Sequence, residues 1–253
     1  MITLQTLYAF YYHCVRIFFS WFSWMFAEKK YVSELQQELN ELRELMGQHE
    51  LHKKLNFNIQ RLVQKSKFNA SEIKALYRGF KQYYPNGVVT KVKFFDIFTQ
   101  LFPFGDARPY AEHVFRVFDS DRNGYINFEE FITGISSIMR GSIHEKLKWT
   151  WRLYDPDSRG FITWCELYDV INAMTCMIEP EPSYNIDQGL SKLSTVFNMD
   201  EELRQHTQSV FQKLDLQRDG IISEHEFVAF CLNDPDTLKS FEAFRTVQPL
   251  RIH

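Results

Sequence analysis

Oxygen-bearing side chains stand at alternate positions in the segment Asp119-Ser120-Asp121-Arg122-Asn123, and a glutamate, Glu130, closes the stretch DSDRNGYINFEE. Asp119, Asp121 and Asn123 hold positions 1, 3 and 5 of a 12-residue loop, where their oxygens converge on one centre. Gly124 at position 6 permits the sharp turn, and Tyr125 at position 7 offers its backbone carbonyl. Asn127 at position 9 acts directly or through water, and Glu130 at position 12 supplies two carboxylate oxygens at once. An all-oxygen, flexible donor set of this kind suits a hard divalent cation, and the spacing points to calcium.

The same punctuation recurs. Gly87, Gly124, Gly160 and Gly220 align as position 6 of four loops, and position 8 is β-branched in each: Val89, Ile126, Ile162 and Ile222. Position 8 is where neighbouring loops pair through a short antiparallel contact, so all four are expected to keep the structural role. The third loop, DPDSRGFITWCE, places Asp155, Asp157 and Glu166 correctly and offers the Phe161 carbonyl. Its position 5 is Arg159, which cannot ligate a cation and brings positive charge to the loop. The fourth loop, DLQRDGIISEHE, has Asp215, Asp219 and Glu226 and the Ile221 carbonyl, with the neutral, longer Gln217 at position 3. Both changes are expected to weaken binding, because ligand charge and rigidity set affinity. The first loop, Gln82 to Lys93, holds no carboxylate and ends on Lys93, so it is expected to bind no metal and to persist as a pairing partner.

Amphipathic stretches flank these loops from Phe68 onward, which makes each unit a helix–loop–helix EF-hand. The expected fold is all-α: four EF-hands in two lobes with short β contacts between paired loops, plus an N-terminal hydrophobic helix. The expected divisions are residues 1–27 (hydrophobic segment), 28–66 (charged helical linker), 67–140 (hands one and two) and 141–253 (hands three and four). Gly141 is the expected hinge, and the long Glu166–Asp215 connection is expected to hold an extra loop over Glu179–Asn185.

The stretches ALYRGF (75–80), FPFGDARPYAEHVFRVFD (102–119) and GSIHEKLKWTWRLYD (141–155) resemble the neuronal calcium sensor family. So does a first loop carrying Tyr84-Pro85-Asn86-Gly87, and the likeness runs from about Phe68 to Phe244. HEKLKW (144–149) and YRGF (77–80) are closest to the Kv channel-interacting proteins, as is a long N-terminus without Gly at position 2. The resemblance implies an auxiliary subunit of A-type voltage-gated potassium channels that holds the channel's cytoplasmic N-terminal helix in an apolar groove. Other members of the wider family regulate cyclases or lipid kinases, which is the alternative function; a calcium buffer is a third. Arg159, Gln217, the long 166–215 connection and the tail 245–253 depart from the family pattern. Phe94, Phe98, Phe102, Phe115, Phe118, Trp149 and Tyr154 are the groove candidates, each equally suited to plain core.

The rest of the chain bears on location. Leu4 to Ala27 is apolar and aromatic, interrupted by two basic side chains, His13 and Arg16, and by no acid. As a helix it would span about 36 Å, enough to cross a bilayer, but Arg16 and a polar stripe leave three readings: membrane-associated, packed into the protein's own groove, or signal peptide. Ile2 excludes N-myristoylation. Val32, Leu35, Leu39, Leu42 and Met46 make an a/d seam over about two heptads, too short to specify a zipper. Eight Lys/Arg and one acid between Lys53 and Lys81 suit anionic lipid, an acidic partner or simply solvent. The net charge of −3 gives no footprint for nucleic acid, and Cys14, Cys165, Cys176 and Cys231 form no CxxC pair, so reduced thiols in a cytosolic protein are expected, and the resemblance implies the cytoplasmic face of a membrane. His49 and His52 lack a third metal ligand, and Trp149, Trp151 and Trp164 read as core or groove. No nucleotide loop, nucleophile elbow or zinc-protease motif is present, so no enzyme is expected.

Overall fold

The structure, a computed structural model, describes residues 59–178 and 189–235. The apolar segment 4–27, the seam 32–46, the histidines at 49 and 52, the Pro-containing stretch 179–185 and the tail 245–253 lie outside the described residues.

A helical stretch, 59–65, precedes the first hand. Then follow α1 (Ala70–Tyr83), β1 (Val88–Thr90), α2 (Lys91–Leu101), α3 (Arg108–Phe118), β2 (Tyr125–Asn127), α4 (Phe128–Arg140) and α5 (Ile143–Tyr154). They continue as β3 (Phe161–Ile162), α6 (Trp164–Ile178), α7 (Gly189–Leu214), β4 (Ile222–Ser223) and α8 (Glu224–Asn233). This is the expected all-α architecture with short β contacts. Among the described residues no helix is long and apolar enough to cross a membrane.

The loops themselves start the helices that leave them. Asn127 and Ser223, at position 9, cap α4 and α8, and Glu130 and Glu226 close the capping boxes three residues on. Thr90 caps α2 in the same register. A capped helix start satisfies backbone donors that would otherwise face no partner. The residue that aims the closing glutamate therefore also fixes the direction of the exiting helix.

Two antiparallel two-stranded sheets tie the hands in pairs. Val89 lies opposite Ile126, and Ile162 opposite Ile222. All four are buried, so the position-8 residues link loop to loop and loop to core at once. One continuous core runs through both pairs of hands. On its first side Phe80 packs on Tyr84, Phe128 and Phe131. A second run goes from Phe98 to Phe94, then to Phe115 and Phe118, and on to Trp149 in α5. Trp151 and Tyr154 meet Phe227 of α8.

The two pairs of hands approach closely. A Cβ on Gly105, in the turn before α3, would lie 2.3 Å from the Cys176 carbonyl oxygen at the end of α6. Gly141, the expected hinge, is extended (φ −60°, ψ 150°) between α4 and α5, and a Cβ there would lie 2.1 Å from the Ser137 carbonyl oxygen. Here glycine answers a close approach, not a need for positive φ. The long connection before the fourth loop is largely α7, whose 26 residues reach about 39 Å at 1.5 Å each.

Much of the basic stretch is spent within the chain. Arg61 and Lys65 both pair with Glu129 of α4, and Lys67 pairs with Glu145 of α5. Beside them Arg140 donates to the Lys67 carbonyl at 2.8 Å, makes a two-pronged contact with Glu72, at 2.5 and 2.9 Å, and lies 4.4 Å over the Phe68 ring. Glu72 also closes the Asn69 capping box of α1. The Arg140 contact, outweighing burial, holds the Glu72 carboxyl below the usual glutamate range. A group whose folded pKa is depressed stabilises above its unfolded value, near 4.5, and the gain is lost as pH falls through the folded value. Arg140→Ala is expected to cost about 1–2 kcal/mol at pH 7 and less at pH 3, measured by denaturant melts at both.

Candidate metal centre

The second loop gathers the densest set of hard oxygens. Asp119, Asp121 and Glu130 each place a carboxylate oxygen within 4.8 Å of the others. Asp119 is buried and Asp121 exposed, with Glu130 between, so the set opens to solvent on one side. The turn is built by amides folding over Asp119: Asn123 N–H donates to Oδ1 at 3.0 Å and Gly124 N–H to Oδ2 at 2.9 Å. Gly124 (φ 85°) and Arg122 (φ 57°) take left-handed backbone, the first at no steric cost.

Glu130 reaches back across the loop. Its Oε1 accepts from the Ser120 and Asp121 amides at 2.9 and 3.3 Å, and its Oε2 from the Asn127 amide at 3.0 Å. Burial and the neighbouring Asp121 charge raise the Glu130 carboxyl above the usual range despite these bonds. No ion pair of the described residues reaches Asp119, Asp121 or Glu130. Crowded carboxylates without a cation, all offering oxygen, fit a hard divalent ion. Asn123 adds its side chain at the mouth, donating to Asp121 at 2.8 Å and accepting from the Tyr125 amide at 3.0 Å.

The fourth loop repeats the frame. Asp215 accepts from the Asp219 and Gly220 amides at 3.2 and 3.1 Å, and Asp219 from the Ile221 amide at 3.1 Å. Glu226 Oε1 accepts from Gln217 N–H at 3.0 Å. Burial pushes the Glu226 carboxyl up, but bonds from Ser223, Gln217 and Leu216 outweigh it and leave it below the usual range. Its carboxylates are not drawn together as closely as those of the second loop.

The third loop has the same turn and a different closure. Asp155 accepts from the Arg159 and Gly160 amides at 2.9 and 2.8 Å, but the Arg159 guanidinium pairs with Glu166. In the first loop Gly87 (φ 78°) keeps the turn, and the Lys81 ammonium donates to the Pro85 carbonyl at 2.5 Å. Lys93 stands exposed at the closing position.

Of the seven groove candidates, Phe94, Phe98, Phe115, Phe118, Trp149 and Tyr154 are buried in the core, and Phe102 packs at its edge. Phe102 does join the aromatic run, 6.3 Å from Phe98. Tyr154 packs instead on Phe227 of α8, in another part of the same core.

Reading the ligand positions alone missed two contributors. Thr163 and Ser223, at position 9, each hold the closing glutamate by amide and hydroxyl. A Ser/Thr three residues before Glu is a capping-box signal legible in the sequence. Arg122 was also missed: it reaches from the second loop to the Pro156 carbonyl at 2.6 Å and to Asp157 at 3.3 Å, and no local pattern announces that contact.

A family model described as an EF hand domain matches residues 111–138, and one described as an EF-hand domain pair matches residues 144–232. The first spans the second loop and its flanking helices; the other spans the third and fourth. The chain therefore carries EF-hand domains, and EF-hand domains bind calcium.

Proposed function

We propose that this protein is a calcium sensor that binds an amphipathic helix of a membrane protein, as an auxiliary subunit of an A-type voltage-gated potassium channel. In this reading the Asp119, Asp121 and Asn123 side chains, the Tyr125 carbonyl and Glu130 hold calcium in the second loop. Asp215, Gln217, Asp219, the Ile221 carbonyl and Glu226 hold it in the fourth, more weakly. Affinity in a sensor's range, about 10⁻⁷–10⁻⁵ M, is expected for the second loop.

The observation that carries the reading is the position of the carboxylate cluster. Asp119 caps the end of α3 and Glu130 lies in the first turn of α4, so anything that alters their spacing alters the angle between the two helices. Phe115 and Phe118 stand on the last turns of α3 and lead through the aromatic run to Trp149. Reorienting α3 would uncover apolar surface of the kind a partner helix fills through i, i+3/i+4, i+7 anchors. The potassium-channel partner rests on the resemblance of residues 77–80 and 144–149, and of the long N-terminus without Gly at position 2, to the channel-interacting group. A regulator of a membrane-associated cyclase or lipid kinase is the alternative.

Affinity capture from detergent-solubilised membranes, with calcium and with chelator, tests the partner. Recovery of a potassium-channel subunit supports the reading, and recovery of a kinase or cyclase in its place supports the alternative. The cytoplasmic face of membranes is the proposed location. Deleting residues 1–27 is expected to move most of the protein to the soluble fraction; unchanged fractionation would favour that segment packing on the protein's own groove.

A further inference from the structure

We infer that the third EF-hand loop is closed by its own arginine and takes no calcium, so that hand three is a fixed structural arm and not a sensing site. This rests on the reading of the second and fourth loops as calcium loops.

The three loops can be compared atom for atom. In each, one oxygen of the closing glutamate is held from position 9: Asn127, Thr163 and Ser223 amides donate to Glu130, Glu166 and Glu226 at 3.0, 2.8 and 2.9 Å. In each, the position-1 aspartate accepts from the amides of positions 5 and 6. The frames match, and the difference lies at the second glutamate oxygen. In the second and fourth loops that oxygen takes only backbone N–H groups, which are neutral donors an ion can outcompete. In the third loop Glu166 Oε1 takes the Arg159 guanidinium.

The Arg159 guanidinium is held by a second contact, lying 4.8 Å from the Phe161 ring centre. A planar, permanently charged guanidinium matched to a carboxylate is already the counter-charge that calcium would supply. A divalent ion entering would have to displace that guanidinium and then sit beside its positive charge. Arg122 adds to the effect from the second loop, pairing with Asp157 at position 3. That contact is two-thirds exposed at both ends and contributes little by itself. Together the two arginines engage Asp157 and Glu166, two of the three carboxylates the loop would offer. Hand three pairs with hand four through Ile162 and Ile222.

The glycines report each loop separately, because Gly124, Gly160 and Gly220 N–H groups donate to the position-1 aspartates at 2.9, 2.8 and 3.1 Å. A metal on that aspartate polarises the bond and moves the amide resonance. The full chain, labelled with nitrogen-15 and carrying Glu226→Gln to silence relay from the fourth loop, would be titrated with calcium to the micromolar range. The Gly160 amide is expected to stay in place. Adding Arg159→Asn should make Gly160 shift and raise calorimetric stoichiometry by one calcium per chain. A Gly160 shift with Arg159 present, or none once it is replaced, overturns the inference. An unmoved Gly124 amide would instead overturn the proposed function and leave the Arg159 comparison to decide this point.

Discussion

Glu130→Gln is expected to weaken the tightest calcium site by on the order of 100-fold, about 2.8 kcal/mol, as read by titration calorimetry. The substitution is chosen because it separates ligation from folding. Glutamine is as long as glutamate and also serves as the third residue of a capping box, so the Asn127 amide keeps its partner and α4 still starts at Phe128. What goes is one negative charge and one of two equivalent oxygens, at the position where the loop closes on itself over Ser120 and Asp121. The calcium-free variant should melt within a few degrees of the parent. The variant should even relax some repulsion, since burial and Asp121 already raise the Glu130 carboxyl. Unchanged tight binding would mean that another loop is the principal site.

The second large effect is on stability. Phe118→Ala is expected to cost about 3–5 kcal/mol, the range for deleting a buried ring from a core that cannot collapse around the space. Phe118 is 2% exposed and bridges Phe94 and Trp149, with centroids 6.3 and 5.8 Å away. Gly134 of α4 leaves room for this ring: a Cβ there would come within 2.4 Å of it. Nothing nearby can move in without dragging α3 or α4. At about 2–4 °C per kcal/mol for a chain of this size, the calcium-free melting point should fall by roughly 6–20 °C. Phe104→Ala is the control, since that ring is 78% exposed and its loss should shift the melt little. A mild effect at Phe118 would mean that the run from α2 to α5 packs more loosely than these contacts state.

The loops were legible because the chemistry is local. Ligand positions, the glycine and the β-branched residue at position 8 all fall within one 12-residue window, and the sheets pair Val89 with Ile126 and Ile162 with Ile222 as that spacing requires. The charge at Arg159 was visible too. Its direction was not, because an arginine side chain can point to solvent as readily as back to Glu166, and only packing against Phe161 decides. The basic run before Lys81 shows the same limit at longer range. A string of cations reads as a surface for lipid or partner, yet Arg61, Lys65 and Lys67 find Glu129 and Glu145 at sequence separations of 64 to 78. The aromatic candidates were visible as a stripe, Phe94, Phe98 and Phe102, one helical turn apart. Whether such a stripe lines an open groove or a closed core depends on the angle between hands, which no local pattern encodes. Here Phe94 and Phe98 are covered.

Equilibrium dialysis of the purified full-length chain against micromolar free calcium tests the central claim most directly. Uptake of at least one calcium per chain, lowered by one calcium per chain in Glu130→Gln, is the expected result. No uptake by the unmodified chain would contradict the assignment of residues 119–130 as a calcium site.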